Sequence, residues 1–226
     1  MDTPSKIEFF NQLPVLASLS DKSLTQLAQM CHLRRAPRFQ FVYMPDQPID
    51  HLYFLVNGRI KIGSFTADGR EILKEILLPG ALFGDLGLAG SNVHVDYAQV
   101  LHDDATFLTI ALTDFRNLMQ QNPCLVFSVL GHLSQRLQRM EERLTKLVSK
   151  DARERIIEFL VETADKEGHQ IGFETLVKHH LTQADIASLT GTSRQTVTSV
   201  LNDLKKSNLI YFRRNSILIR DVAKLA

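Results

Sequence analysis

With 226 residues the chain has room for one large or two modest domains. Its composition, 44% hydrophobic and 23% charged, is ordinary for a globular protein, and a net charge of +1 excludes a global electrostatic pull towards nucleic acid or membrane. No apolar run approaches the roughly 20 residues that span a bilayer, which argues against a membrane partner. Cys31 and Cys124 make no disulfide framework, and the start "MDTPSKIEFF" lacks a secretory pattern, so a cytoplasmic protein is expected. The charge is unevenly spread. Residues 1–118 hold 10 Lys+Arg against 13 Asp+Glu, whereas from Leu181 onward the count is 7 against 3. A basic C-terminal end points to a polyanion.

All seven prolines lie at or before Pro123. That shift predicts a turn-rich β region followed by a helical one. In the first region "SDKSLTQLAQMC" reads as a helix capped by Ser20 or Asp21, with Leu24, Leu27, Ala28 and Cys31 on one face. Closely spaced strands follow. "DHLYFLVNGRIKIGSF" reads as two strands joined at Asn57-Gly58, a dipeptide favoured in tight hairpins, and "SFTADGREILKEIL" repeats the pattern at Asp68-Gly69. "HVDYAQVLH" and "ATFLTIAL" complete a set that predicts an antiparallel barrel or jelly roll. Thr113 then caps the helix "TDFRNLMQQN", which ends before Pro123.

The most regular stretch comes next. Val126, Leu130, Leu133, Leu137, Met140, Leu144 and Leu147 are spaced 4, 3, 4, 3, 4, 3, the seam of a two-helix coiled coil, so a parallel homodimer is expected through residues 123–149. In "SKDARERIIEFLVETADKEG", Asp151 with Glu154 resembles a capping box and opens another helix; Lys150-Asp151 marks the expected boundary of a domain over 150–226.

That domain carries the strongest functional signal. Thr182 caps a short helix bearing Ile186, Ala187 and Leu189, with Ala187 small enough for a crossing helix. Gly191 suits a turn needing positive φ. Ser193 caps a second helix that buries Val197, Val200, Leu201 and Leu204. This is a helix-turn-helix. Its second helix presents Arg194, Gln195, Thr196, Thr198 and Ser199, residue types that read base edges. "LIYFRRNSILI" follows as a two-stranded wing whose Arg213 and Arg214 suit phosphates. No His-Glu-x-x-His, Gly-x-Ser-x-Gly or P-loop pattern occurs, and His179-His180 lack companions at ligand spacing. No enzyme, metal site or cofactor is expected.

"YFLVNGRIKI", "GALFGDLGL", the seam helix, "SKDARERIIEFL" and "TSRQTVTSVLNDLKKSNLI", in that order, resemble the cAMP receptor protein/FNR (Crp/Fnr) family of bacterial transcription regulators. The resemblance implies an α+β chain: a cyclic-nucleotide-binding-like antiparallel β-roll over 1–122, a dimerisation helix, and a winged helix-turn-helix. It implies a homodimer on a pseudo-palindromic operator, in contact with RNA polymerase. Thr182, Gln183, Ser193 and Thr196 would hold phosphates and Arg194 and Gln195 would enter the major groove. A module with the same roll that acts only through protein contacts is the rival reading; the basic C-terminal end speaks against it.

The effector is the open question. The resemblance places an effector pocket at Gly84, Asp85, Leu86, Gly87, Asp96, Tyr97 and Met140. In cAMP-binding members the loop reads Gly-Glu and then, about ten residues on, Arg-Ser. Here it reads Gly84-Asp85, and Asp96-Tyr97 falls in the second slot. No Lys or Arg occurs between Lys74 and Arg116. Like charges about 4 Å apart repel by roughly 4 kcal/mol even at an effective dielectric near 20, so the loop is expected to refuse a cyclic phosphate. An unfilled or non-nucleotide pocket fits better: an apolar or zwitterionic small molecule, redox chemistry at Cys31 or Cys124, or no effector at all. Haem on His94 or His102 is a weaker alternative.

Overall fold

In the computed structural model, which describes residues 1–213 and 215–225, the chain separates into two units, Met1–Arg139 and Met140–Ala226, with the break inside one long helix. The first unit opens with a helix that sequence reading misses: α1 (Thr3–Asn11) starts where Ser5 N donates to Asp2 Oδ1 at 3.1 Å. Helix α2 (Asp21–Met30) starts on Ser20, whose hydroxyl accepts from Ser23 N, and buries Leu24, Leu27, Ala28 and Cys31 as the spacing requires.

Eight strands follow: β1 (His32–Ala36), β2 (Phe41–Tyr43), β3 (His51–Asn57), β4 (Ile60–Phe65), β5 (Glu71–Leu77), β6 (Leu82–Phe83), β7 (Tyr97–Val100) and β8 (Ala105–Ala111). They form two four-stranded antiparallel sheets, ordered β1-β8-β3-β6 and β2-β7-β4-β5. The jelly roll is as expected, but its wiring is not a run of hairpins. Of the two dipeptide turns, Asp68-Gly69 closes a hairpin, β4 with β5. Asn57-Gly58 carries the chain from one sheet to the other, since β3 pairs with β6 and β8 and β4 with β5 and β7. Gly58, at φ 88°, permits that crossing because a Cβ would meet the Ala105 Cα at 2.8 Å.

Both faces of β3 and β8 are largely buried, which is why these two strands read as near-continuous apolar runs, whereas the edge strand β1 is mostly exposed. Leu55 and Phe107 point into the roll with Ile60, Ile62, Phe83 and Val100. Leu52, Phe54, Leu108 and Ile110, one step out of phase, pack outward on Phe10, Leu16 and Leu27. The same outer layer takes Phe115 and Leu118 of α3 (Leu112–Gln121) and Leu125 and Val129 of α4 (Pro123–Ser149). Thr113 is not the cap of α3. The N-cap position is Ala111, with no side-chain cap, because β8 runs directly into the helix and Leu112 N is taken by Asp50 O at 2.8 Å.

On α4 the seven-residue seam divides. Val126 is half-buried and Leu133 packs against the first unit's outer core, while Leu130, Leu137, Met140 and Leu144 are 50–63% exposed. Leu147, within the second unit, sits where a Cβ on Gly191 would fall.

In the second unit α5 (Ala152–Glu167) begins on the expected capping box: Glu154 N donates to Asp151 Oδ1 at 2.9 Å and Asp151 N to Glu154 Oε2 at 2.8 Å. The region is less helical than the missing prolines imply. β9 (Gly168–Ile171) and β10 (Glu174–Lys178) form a hairpin turned by Gly172 at φ 62°. After α6 (Gln183–Thr190) and α7 (Arg194–Lys206), β11 (Ile210–Arg213) and β12 (Ser216–Ile219) join that hairpin in a sheet ordered β11-β12-β10-β9, and α8 (Val222–Leu225) follows. No helix of the described residues is long and apolar enough to cross a membrane.

Candidate functional site

Two places concentrate polar chemistry, one in each unit. In the second unit both helix starts are capped as read. Asp185 N donates to Thr182 Oγ1 at 3.1 Å and Thr182 N to Asp185 Oδ2 at 2.8 Å; Thr196 N donates to Ser193 Oγ at 3.0 Å. Gly191, at φ 62°, ends α6 in the left-handed region that favours glycine. Ile186 and Ala187 of α6 and Val197, Val200, Leu201 and Leu204 of α7 are buried. That burial turns Arg194, Gln195 and Ser199 outward on the first turns of α7, all exposed. Thr196 and Thr198 are half-buried, and Thr198 Oγ1 donates to Gln183 Oε1 at 2.6 Å, so Gln183 ties the first helix to the second. Arg213 is exposed at the end of β11; Arg214 lies outside the described residues.

Two arginines outside the motif hold its turn. Arg155 donates from Nε to Thr190 O at 2.8 Å and from Nη2 to Gly191 O at 3.1 Å, while Nη1 reaches Lys150 O at 2.6 Å. Arg143 Nη2 donates to Ser188 O at 2.8 Å. The last carbonyls of α6 are thus satisfied by cations, which also complement the negative end of the helix dipole. Neither residue stands out in the sequence as part of the motif.

In the first unit a cavity of about 320 Å³ opens between the roll and α4. Of the pocket residues expected from sequence, Gly84, Asp85, Leu86 and Asp96 line it. Gly87, Tyr97 and Met140 do not. Gly87 packs on Ile49 and Leu112, and its carbonyl accepts from Arg116 at 2.6 Å. Tyr97 is fully buried in the sheet, its hydroxyl bonded to Glu71. Met140 is half-exposed on α4.

The expectation of a cavity without a cation is overturned. Arg136, from α4, donates from Nη1 to Asp85 Oδ1 at 2.7 Å, and His132 Nε2 stands 3.6 Å from Asp85 Oδ2. The Asp85 side chain is 2% exposed and that of Arg136 19%. Burial pushes the Asp85 carboxyl up, but the His132 imidazole and the Arg136 guanidinium outweigh it and hold it below the usual range. Asp96 has no such neighbour. Burial raises its carboxyl, the charges of Lys74 and Arg136 oppose that, and the Asp85 carboxylate adds to it. His132 and Arg136 lie far along the chain from Asp85, so no local pattern in the loop marks them. The readable signal was the face of α4: Leu125, Val129, His132 and Arg136 follow helical spacing, so the buried stripe continues as polar residues.

The remaining sequence candidates are apart from one another. His94 is buried, stacked on Tyr43 with ring centroids 3.6 Å apart, and burial lowers its pKa to about 4. His102 lies edge-on to Phe39. Burial pushes the Cys31 thiol up to about 12, and Cys124 is exposed.

Residues 33–122 match the cyclic nucleotide-binding domain family and residues 154–226 the Crp-like helix-turn-helix domain family. Over 190 residues the chain is 32% identical to the CRP-like cAMP-activated global transcriptional regulator of Mycobacterium tuberculosis, covering 84% of each. It is 25% identical to the global nitrogen regulator of Nostoc sp., covering 84% of this chain and 85% of that one. Among solved structures it is similar to the c-di-GMP responsive global regulator CLP of Xanthomonas campestris, with a TM-score of 0.77 at 21% identity over 88% of this chain and 99% of that one.

Replacing Arg136 by Ala leaves the Asp85 carboxylate buried without its cation. Arg136→Ala should therefore cost about 3–5 kcal/mol of stability by denaturant unfolding at neutral pH, as loss of one partner of a buried pair does. The loss should shrink when Asp85→Asn is combined with it; equal cost in both backgrounds would mean that the pair does not carry the effect.

Proposed function

The chain belongs to the Crp/Fnr family of transcription regulators, and from that premise we propose that residues 150–226 read an operator, residues 123–149 pair two chains, and residues 1–122 sense an effector. It is a sequence-specific DNA-binding regulator. The observation that carries the assignment of base-reading residues is the first turn of α7, where Arg194, Gln195 and Ser199 are exposed above a buried apolar face. Arg suits guanine and Gln suits adenine in the major groove. Thr182, Gln183, Ser193 and Thr196, clustered at the two capped helix starts, hold backbone phosphates through main-chain N–H groups and hydroxyls, with Arg213 of the wing alongside.

A symmetric operator needs two such helices about one DNA turn apart, roughly 34–36 Å. Leu130, Leu137, Met140 and Leu144 supply the pairing face, since large apolar side chains at seven-residue recurrence otherwise stand in water. The dimer acts in the cytoplasm, on DNA and RNA polymerase rather than as an enzyme. The roll is a sensor that does not take cAMP. The roll lines the cavity with three carboxylates, Glu75, Asp85 and Asp96, and Asp85 neutralises the Arg136 guanidinium of α4, so a cyclic phosphate with no cationic group of its own meets net negative charge there.

Arg194→Ala should lose about 1–3 kcal/mol at a single operator base and relax preference there, read by competition binding across base variants; uniform weakening would make Arg194 a phosphate contact. Leu137→Glu places a charge on the pairing face and should yield monomers with poor operator affinity, measured by light scattering and gel shift; an undisturbed dimer would remove that face from the interface. Calorimetric titration with cAMP should give no saturable binding at the roll, and a low-micromolar dissociation constant there would overturn the non-nucleotide assignment.

A further inference from the structure

We propose that the cavity of the first unit binds a free amino acid, its ammonium group at Asp85 and Asp96 and its carboxylate at Arg136. This rests on reading the first unit as a sensor and names the chemistry it senses. Three observations converge. The lining is polarised: the roll contributes the carboxylates Glu75, Asp85 and Asp96, whereas α4 contributes His132, Arg136 and Arg139. A ligand with a positive and a negative end complements both walls, while a simple anion meets the carboxylates and a simple cation meets the arginines.

The Asp85–Arg136 pair is also incomplete. Its single close bond joins Oδ1 to Nη1, which leaves Asp85 Oδ2 and Arg136 Nε buried without hydrogen-bond partners. The nearest candidate partners, His132 Nε2 at 3.6 Å from Oδ2 and Glu75 Oε2 at 3.9 Å from Nε, are too far to satisfy them. One orphan is an acceptor and the other a donor. An ammonium would donate to the first and a carboxylate accept from the second, so one zwitterion meets both needs once the two side chains turn to expose these enclosed atoms. Buried polar groups left unpaired are destabilising, which favours an occupant that pairs them.

Finally, the volume of about 320 Å³ sits at the low end of small-molecule sites, roughly 300–1,000 Å³, and Tyr43, Leu77 and Phe83 add an apolar wall for a side chain. Asp96, whose carboxyl is raised by burial, gains a cation from the ammonium.

The test is calorimetric titration of the full-length protein with each of the twenty standard amino acids. Any that bind are repeated as the matching decarboxylated amine and the matching 2-oxo acid, with cAMP in parallel and operator binding assayed separately. The expected result is saturable binding of one or a few amino acids, with each half-molecule at least tenfold weaker. Asp96→Asn should weaken binding at least tenfold with operator binding of the unliganded protein retained, and Asp85→Asn should do the same where circular dichroism shows it folded. The inference is overturned if none of the twenty binds, if the amine binds as well as the amino acid, or if Asp96→Asn binds as the parent does. In each of those cases intact operator binding leaves the DNA-binding assignment standing, and its loss in the parent protein would count against that assignment instead.

Discussion

A carboxylate almost cut off from water must find a cation, and for Asp85 that cation is Arg136, 51 residues further on. The pair joins the first turn after β6 to the middle of α4. Buried charge pairs are weak sources of net stability but strong constraints on geometry, because separating them strands both ions. Whatever changes the surroundings of Asp85 therefore acts on α4 first. A ligand shifts the helix only by as much as its affinity differs between two packings of that helix. The unpaired Oδ2 and Nε atoms are where such a difference in affinity can arise.

The second unit uses the same kind of contact for another end. The turn of a helix-turn-helix exposes the last carbonyls of its first helix, and these carbonyls must be satisfied without side chains crowding the groove-facing surface. Arg155 and Arg143 do this from behind, binding Thr190 O, Gly191 O and Ser188 O. Arg143 belongs to α4 and Arg155 to α5, so the recognition turn is fixed by the helices that precede it. The exposure of Arg194, Gln195 and Ser199 then has a physical sense: the motif's internal polar needs are met elsewhere.

Legibility in the sequence followed the range of the interaction. Most signals spanning three or four residues are legible: the Ser20, Asp151, Thr182 and Ser193 caps, the Gly191 turn, and the buried face of α7; the Thr113 cap is the exception, because β8 runs directly into α3. Each legible signal depends on local geometry that one stretch of chain dictates. Signals that depend on partners far along the chain are not. Asn57-Gly58 has the chemistry of a hairpin turn, but β3 finds stronger partners in β6 and β8, so the dipeptide serves a crossing between sheets. The absence of prolines after Pro123 permits helices without forbidding the β9–β10 hairpin. Asp85 was singled out from its loop, whereas its counter-ion could be found only by following the buried face of α4 past Val129 to His132 and Arg136.

That helix shows why a heptad count alone misleads. A strict seam over residues 126–147 suggests one continuous partner, yet the chain has several uses for the same helix. Leu133 goes to the outer core and Leu147 to the recognition turn, which leaves Leu130, Leu137, Met140 and Leu144 facing water. An interface built on those four is narrower than a full zipper. Fewer buried apolar contacts mean less energy holding one arrangement of the two helices over another.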